Sequence, residues 1–164
     1  MTGGRLPYTA KINGFTLVEL VMVIIITGIL SVVVVPRFIG LETFQARGFY
    51  DQTLSMLRYA QKNAIAQHAN VFVNVNAPAA TLCLTYISDS NCASNDVNQV
   101  VLNPANSQKF SIVAPRHITI GSTTSTFSFS ALGRPSPDAA VNLSIIGDGI
   151  TRVIIVERET GYVH

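Results

Sequence analysis

KINGFTLVELVMVIIITGILSVVVVP, Lys11–Pro36, is the stretch on which the reading of this chain turns. Leu20–Val35 runs sixteen residues without a charge, and starting at Phe15 extends the run to twenty-one with Glu19 as its only charge. A helix rising 1.5 Å per residue carries such a run across about 30 Å, the hydrocarbon thickness of a bilayer. A core helix apolar on every face rarely fits a small domain. A secretory signal would be followed by a small-residue cleavage site of the Ala-x-Ala kind, but this run ends in VVVVPRF. The expectation is a retained membrane helix.

The rest of the chain is judged against that segment. Its 164 residues allow one modest domain plus an accessory element. At 48% hydrophobic and 12% charged, with mean hydropathy +0.38, it is too apolar for disorder and too poor in charge for an ordinary soluble domain. The net charge of +2 comes entirely from Arg5 and Lys11; from Phe15 onward nine Lys and Arg face nine Asp and Glu. No basic surplus remains in the body of the chain to recruit nucleic acid. Arg5 and Lys11 before the helix are matched by Arg37 and Arg47 after it, so the positive-inside count does not orient the span.

Inside the run, Glu19 is expensive in a membrane, on the order of 2.5–3.5 kcal/mol at a helix centre. It sits one turn from Phe15, whose amine would become cationic if the chain were cut before it, and pairing with such an amine would offset that cost. The alternative is an acid that favours the helix N-terminus. Pro36 cannot donate to the carbonyl of Val32 and Gly28 is a weak helix former, so a kink or a loosened stretch is expected between them.

After Gly40 the periodicity becomes amphipathic: Tyr50, Leu54, Leu57, Ala60 and Ala64 recur at three- and four-residue spacing, with Asp51, Arg58, Gln61 and Lys62 between. One helix is expected from about Phe15 to His68, bent at Pro36 and at Gly40 or Gly48. From Asn70 the pattern is short alternating runs: Val71–Asn76, Thr81–Ile87, Gln108–Val113, His117–Ile120, Thr126–Ser130, Val141–Ile146 and Arg152–Glu157. Pro78, Pro104, Pro115 and Pro137 fall between the runs. Gly147-Asp148-Gly149 reads as a hairpin turn and Gly133-Arg134-Pro135 as another turn. No crossover helix is visible, so the strands should be antiparallel. The fold class is α+β: a long N-terminal helix, half membrane-spanning and half amphipathic, packed on an antiparallel sheet or sandwich.

Cys83 and Cys92 lie well beyond the helix with eight residues between them. They are too few for a metal site, and no His stands beside them. The spacing suits a small disulfide loop in an oxidising compartment, with two reduced, unlinked thiols as the alternative. Asp89–Gln99, rich in Ser, Asn and Asp, is then a loop held by that bridge. No catalytic constellation appears: His68, His117 and His164 lack ligand spacing, no G-x-S-x-G elbow is present, and Gly147-Asp148-Gly149 lacks the further acids or Lys of a calcium or phosphate loop. The expectation is no enzyme, no cofactor and no metal.

A basic leader, Gly14, Phe15, an acid at Glu19 and Pro36 around one apolar run together closely resemble the type III signal of type IV pilins and type II secretion pseudopilins. The resemblance implies a cut between Gly14 and Phe15 by a membrane prepilin peptidase, and N-methylation of Phe15. It also implies that Glu19 meets the amine of an adjacent subunit, and that Gly28–Pro36 is a stretch able to loosen in a filament. TFSFSALGRP, VNLSIIGDG and ITRVIIVERETGYV resemble the C-terminal half of H-type pseudopilins and FimT-like minor pilins, and LSMLRYAQKNAIAQHANVFVNV their helix-to-strand junction. The family arginine after the last Gly is Tyr162 here. The chain also resembles minor pilins of the mannose-sensitive haemagglutinin pilus.

The implied organisation is a leader 1–14, an assembly helix 15–36, an amphipathic helix 37–69 and a β-rich periplasmic head 70–164. The implied function is a minor pilin placed near the tip or priming complex of a type IV pilus. A secretion pseudopilin, a major pilin and a membrane-anchored binding module are the alternatives. Its partners would be the prepilin peptidase, other minor and major pilins or pseudopilins, and the inner-membrane assembly platform.

Overall fold

The computed structural model describes residues 14–164, and within its helix the backbone but not the side chains of residues 32–41. Residues 1–13 of the leader, with Arg5 and Lys11, lie outside the described residues, and so does the side chain of Pro36. The chain divides into two units, Met1–Ile39 and Gly40–His164.

Helix α1 spans Leu17–Gln67. Its end is set by His68, which at φ 48° takes the left-handed conformation. The Ala69 N–H reaches the Ala64 carbonyl at 3.2 Å and the His68 N–H that of Ile65 at 3.4 Å, a Schellman closure that satisfies the last turn. Among the described residues no helix is long and apolar enough to cross a membrane. The expected span Phe15–Val35 runs on into residues whose side chains are not described.

In the second unit the strands are β1 Val71–Asn76, β2 Thr81–Thr85, β3 Ser111–Val113, β4 Thr119–Ser122, β5 Thr126–Phe129, β6 Pro135–Ser136, β7 Val141–Gly147 and β8 Ile150–Val156. They form a five-stranded sheet ordered β3-β2-β1-β5-β6 and a three-stranded sheet ordered β4-β7-β8. Every pairing is antiparallel. Val71, Val73 and Val75 alternate onto one face of β1, beside Leu82 and Leu84 of β2 and Phe127 and Phe129 of β5. The helical stripe Ala46, Phe49, Met56, Leu57, Ala60 and Ala64 joins this face and Leu143, Ile145 and Ile154 of the second sheet in one apolar core. Tyr50 and Leu54, expected on the stripe, are only partly buried; Phe49 and Met56 take the deeper positions.

Two expectations are corrected. Gly133-Arg134-Pro135 is not wholly a turn, because Pro135 opens a two-residue edge strand opposite Phe129. Proline fits there because an outermost strand can spare a backbone donor. The β7–β8 turn is Asp148-Gly149 alone, both at positive φ (57° and 68°), the two-residue geometry that suits a twisted hairpin. Gly147 stays in β7, paired with Ile150. It is small for another reason: a Cβ there would lie 2.9 Å from Cβ of Ala46 and 3.2 Å from Cγ1 of Ile118.

Candidate functional site: the processing and assembly segment

Gly14, Phe15 and Thr16 are non-helical and exposed, immediately ahead of α1. Thr16 caps the helix: its carbonyl accepts the Leu20 N–H at 3.2 Å and its Oγ1 accepts the Glu19 N–H at 3.2 Å. Thr16-x-x-Glu19 thus has the spacing of a capping box, and Glu19 lies in the positively polarised first turn. An acid thus stands at the helix N-terminus, as weighed from the sequence, while the capping hydrogen bond itself is made by the Thr16 hydroxyl. The cap also ends the helix one residue after the Gly14–Phe15 bond. That bond is outside the ladder of helical hydrogen bonds and open to an enzyme.

Neither Gly14 nor Gly28 is required by the described residues: neither has a positive φ, and among those residues an added Cβ would meet no atom within 4 Å at either position. From Phe15 to Ser31 every residue is exposed, Phe15 and Leu17 at 77%. Among the described residues this apolar surface has no partner, and a surface of this kind calls for an outside cover. Beyond the capping Thr16, its two other hydroxyls are satisfied locally: Thr27 donates to the Val23 carbonyl at 2.7 Å and Ser31 to the Thr27 carbonyl at 2.7 Å. Such back-bonding keeps a polar group tolerable in an apolar setting and favours slight bending.

A second candidate surface is the loop over the far face of the five-stranded sheet. Cys83 and Cys92 are bonded, with S–S 2.03 Å and Cα–Cα 5.8 Å. The loop is also held by hydrogen bonds. Asn74, fully buried on β1, donates to Thr85 Oγ1 at 2.7 Å and accepts from the Asp89 N–H at 3.0 Å and Thr126 Oγ1 at 3.1 Å. Lys109 Nζ donates to the carbonyls of Cys92 and Ser94, both at 2.6 Å. Sequence reasoning missed both tethers, since a strand Asn and a lone Lys carry no local signal of what will cover them. It likewise missed Arg58, which clasps the Val163 carbonyl through Nε and Nη2 at 3.2 and 3.1 Å, and Gln61, which bonds the carbonyls of Gly133 and Thr160 at 3.0 Å each. Tyr162 is 58% exposed and lies against His164, ring centroids 5.4 Å apart.

Residues 9–35 match the family model described as the prokaryotic N-terminal methylation motif. No curated protein matches the chain at a significant level. Among solved structures, the type IV minor pilin FimU of Pseudomonas aeruginosa PAO1 is similar in two crystal forms. In one the TM-score is 0.54 at 15% identity, covering 74% of this chain and 85% of that one. In the other it is 0.53 at 15% identity, covering 74% and 90%. The chain has a pilin fold behind a prepilin-type methylation motif. The minor pseudopilin EpsH of the Vibrio cholerae type 2 secretion system is similar too, with TM-score 0.51 at 11% identity over 75% of this chain and 94% of that one. At these identities the likeness to both proteins is one of fold. The pilin fold accounts for the long helix on antiparallel sheets, and the motif falls on the segment whose glycines and apolar surface the chain's own packing leaves unexplained.

Proposed function

We propose that this protein is a minor pilin: a structural subunit, not an enzyme, processed by a prepilin peptidase and incorporated into a type IV pilus near its tip or priming complex. The observation that carries this reading is the methylation motif over residues 9–35, set around an exposed, non-helical Gly14–Phe15 bond and joined to a pilin fold. In this reading the peptidase removes residues 1–14 and Phe15 is N-methylated. The mature helix stays in the inner membrane as a single pass, with the β-rich head in the periplasm, until the assembly platform draws the subunit into the fibre. Glu19 then pairs with the amine of a neighbouring subunit, and Gly28–Pro36 is the stretch that can loosen. A periplasmic head agrees with the Cys83–Cys92 bridge, since disulfides persist in oxidising compartments.

Intact mass and N-terminal sequencing of the protein from its native host test the proposal. The expected result is a chain beginning at Phe15 and carrying one methyl group. A chain that retains Met1, or starts anywhere else, overturns it. The likeness to EpsH supports a second reading, a pseudopilin of a secretion system. Deleting the protein separates the two: loss of surface pili supports the first, and loss of secretion with intact pili supports the second.

A further inference from the structure

The four edges of the two sheets differ in how they are guarded. β3 is three residues long and is followed by Pro115; β6 is two residues long and starts with Pro135; β4 is four residues long and includes Gly121. Short strands and proline discourage an added strand. β8, ITRVIIV, is seven residues long with neither proline nor glycine, and Ile150 and Val153 are 47% and 46% exposed.

Part of the outer side of β8 is already occupied. Ile155 exchanges two backbone hydrogen bonds with His164, at 2.8 and 3.1 Å, and the Glu157 N–H donates to the Tyr162 carbonyl at 2.9 Å. Backbone groups alternate along a strand, so Thr151 and Val153 point to the same outer side as Ile155. Among the described residues no backbone group bonds them there. The edge thus accepts an extended segment at one end and leaves two donors and two acceptors open at the other.

Between those open residues stands Arg152. It pairs across the sheet with Ile145, which is fully buried, so its side chain is on the core face. Its Nη1 is buried and has no hydrogen-bond partner among the described residues. A guanidinium cannot shed its proton, and a buried donor without an acceptor is costly. A residue on a strand added beside Arg152 would come within cross-strand reach, about 5 Å between Cβ atoms, on the same face.

We infer that the open β8 edge receives an extended strand from a different pilin-type subunit, and that this strand sets a carboxylate beside Arg152. The inference rests on the minor-pilin reading and specifies how the head meets its neighbour. A second copy of this chain is a poor occupant. Antiparallel pairing of Thr151–Val153 with itself centres on Arg152 and sets two guanidinium groups side by side, and like charges directly opposite destabilise a ladder. Backbone bonds supply the attachment and the carboxylate its register, the mode of recognition used wherever a strand is added to a sheet.

The test uses the full chain in its native host, with benzoylphenylalanine at position 153 as the photoreactive probe and sheared fibres as the sample. The expected crosslink runs to one extended stretch of another pilin-type chain that contains an Asp or Glu. Val153→Pro removes an outward-facing N–H without touching the β7 ladder, and should lower the copies per fibre about tenfold, as loss of one or two interchain bonds implies. Val153→Lys, which leaves every backbone group in place, carries the same expectation if the proline disturbs the head. Arg152→Glu should show a similar loss, rescued when the partner's crosslinked carboxylate residue is changed to Arg; a merely structural role for Arg152 would not be rescued. Crosslinking to a second copy or to no chain, or wild-type copy number for both Val153 variants, overturns the inference while leaving the minor-pilin reading in place. A wild-type chain absent from fibres overturns both.

Discussion

Replacing Asn74 by leucine separates two ways of holding the loop over the sheet. The side chain is fully buried and makes three hydrogen bonds, to Thr85, Thr126 and the backbone of Asp89. Each contributes about 1 kcal/mol net, and the stranded Asp89 N–H adds about 1–3 kcal/mol of desolvation, partly offset by the added apolar burial. The expected loss is about 3–4 kcal/mol. Unfolding entropy near 2.1 cal/mol/K per residue makes the Gly40–His164 unit lose about 4 °C of midpoint per kcal/mol, so a fall of about 12–15 °C is expected. Closing a loop of about ten residues by a disulfide contributes a comparable 2–3 kcal/mol. The two tethers are separable by limited proteolysis. With Asn74 and the Lys109 bonds intact, reduced protein should keep the Asp89–Gln99 loop resistant. With Asn74→Leu, the loop should be cut once the bridge is reduced and persist when it is oxidised. Near-ultraviolet circular dichroism of detergent-solubilised protein measures the midpoint. A shift below about 4 °C, or a loop that opens equally in both reduced proteins, refutes the assignment of Asn74 as the second tether.

Gly14→Val should leave a full-length precursor, because the peptidase must approach a backbone that no side chain among the described residues crowds; processing to Phe15 at the wild-type level, seen by mass, counts against it. Glu19→Gln should be inserted and cut normally but recovered in sheared fibres at a small fraction of the wild-type amount, and equal recovery rejects the pairing role. Gly147→Ala should cost about 1–3 kcal/mol through its contact with Ala46 and Ile118, read as a lowered unfolding midpoint; an unchanged midpoint means that the helix and the hairpin are not in firm contact there.

What the sequence made legible depended on how local each signal was. The helix was readable to within two residues at either end because its apolar run, amphipathic spacing and turnless length all lie within one segment. β1 was readable from VFVNVN because alternation is written along a single strand. Its polar side was not readable in the same way. Asn74 and Thr85 look solvent-facing by pattern, yet both are buried, because the loop carrying Cys92 folds back over them, its Asp89 reaching Asn74 from fifteen residues away. Pro135 was read as turn chemistry because proline removes a donor, a rule whose exception is an outermost strand, and edge position is a property of the whole sheet. At the N-terminus the motif residues stood out by type and spacing. Thr16 did not: its hydroxyl acquires meaning only when the helix is seen to begin there.

Glu19 and the bare surface around it point beyond a single chain. Thr16 already accepts the Glu19 N–H, so the carboxylate is not needed to hold that part of the cap and interacts mainly with the helix dipole. That attraction is about 0.3–1 kcal/mol, well short of the several kcal/mol that a carboxylate costs in hydrocarbon. Lipid can cover Phe15, Leu17 and the exposed isoleucines of the helix, but it offers no counter-charge. A bundle of like helices can do both if each brings a free amine at Phe15. The proposed cut before Phe15 creates that amine. In the uncut precursor the same nitrogen is a neutral amide, so processing would change the chain from one that lipid alone must accommodate into one that gains by leaving lipid for a filament. On this view, cleavage and assembly are coupled through a single charge, and Glu19 is the residue that senses it.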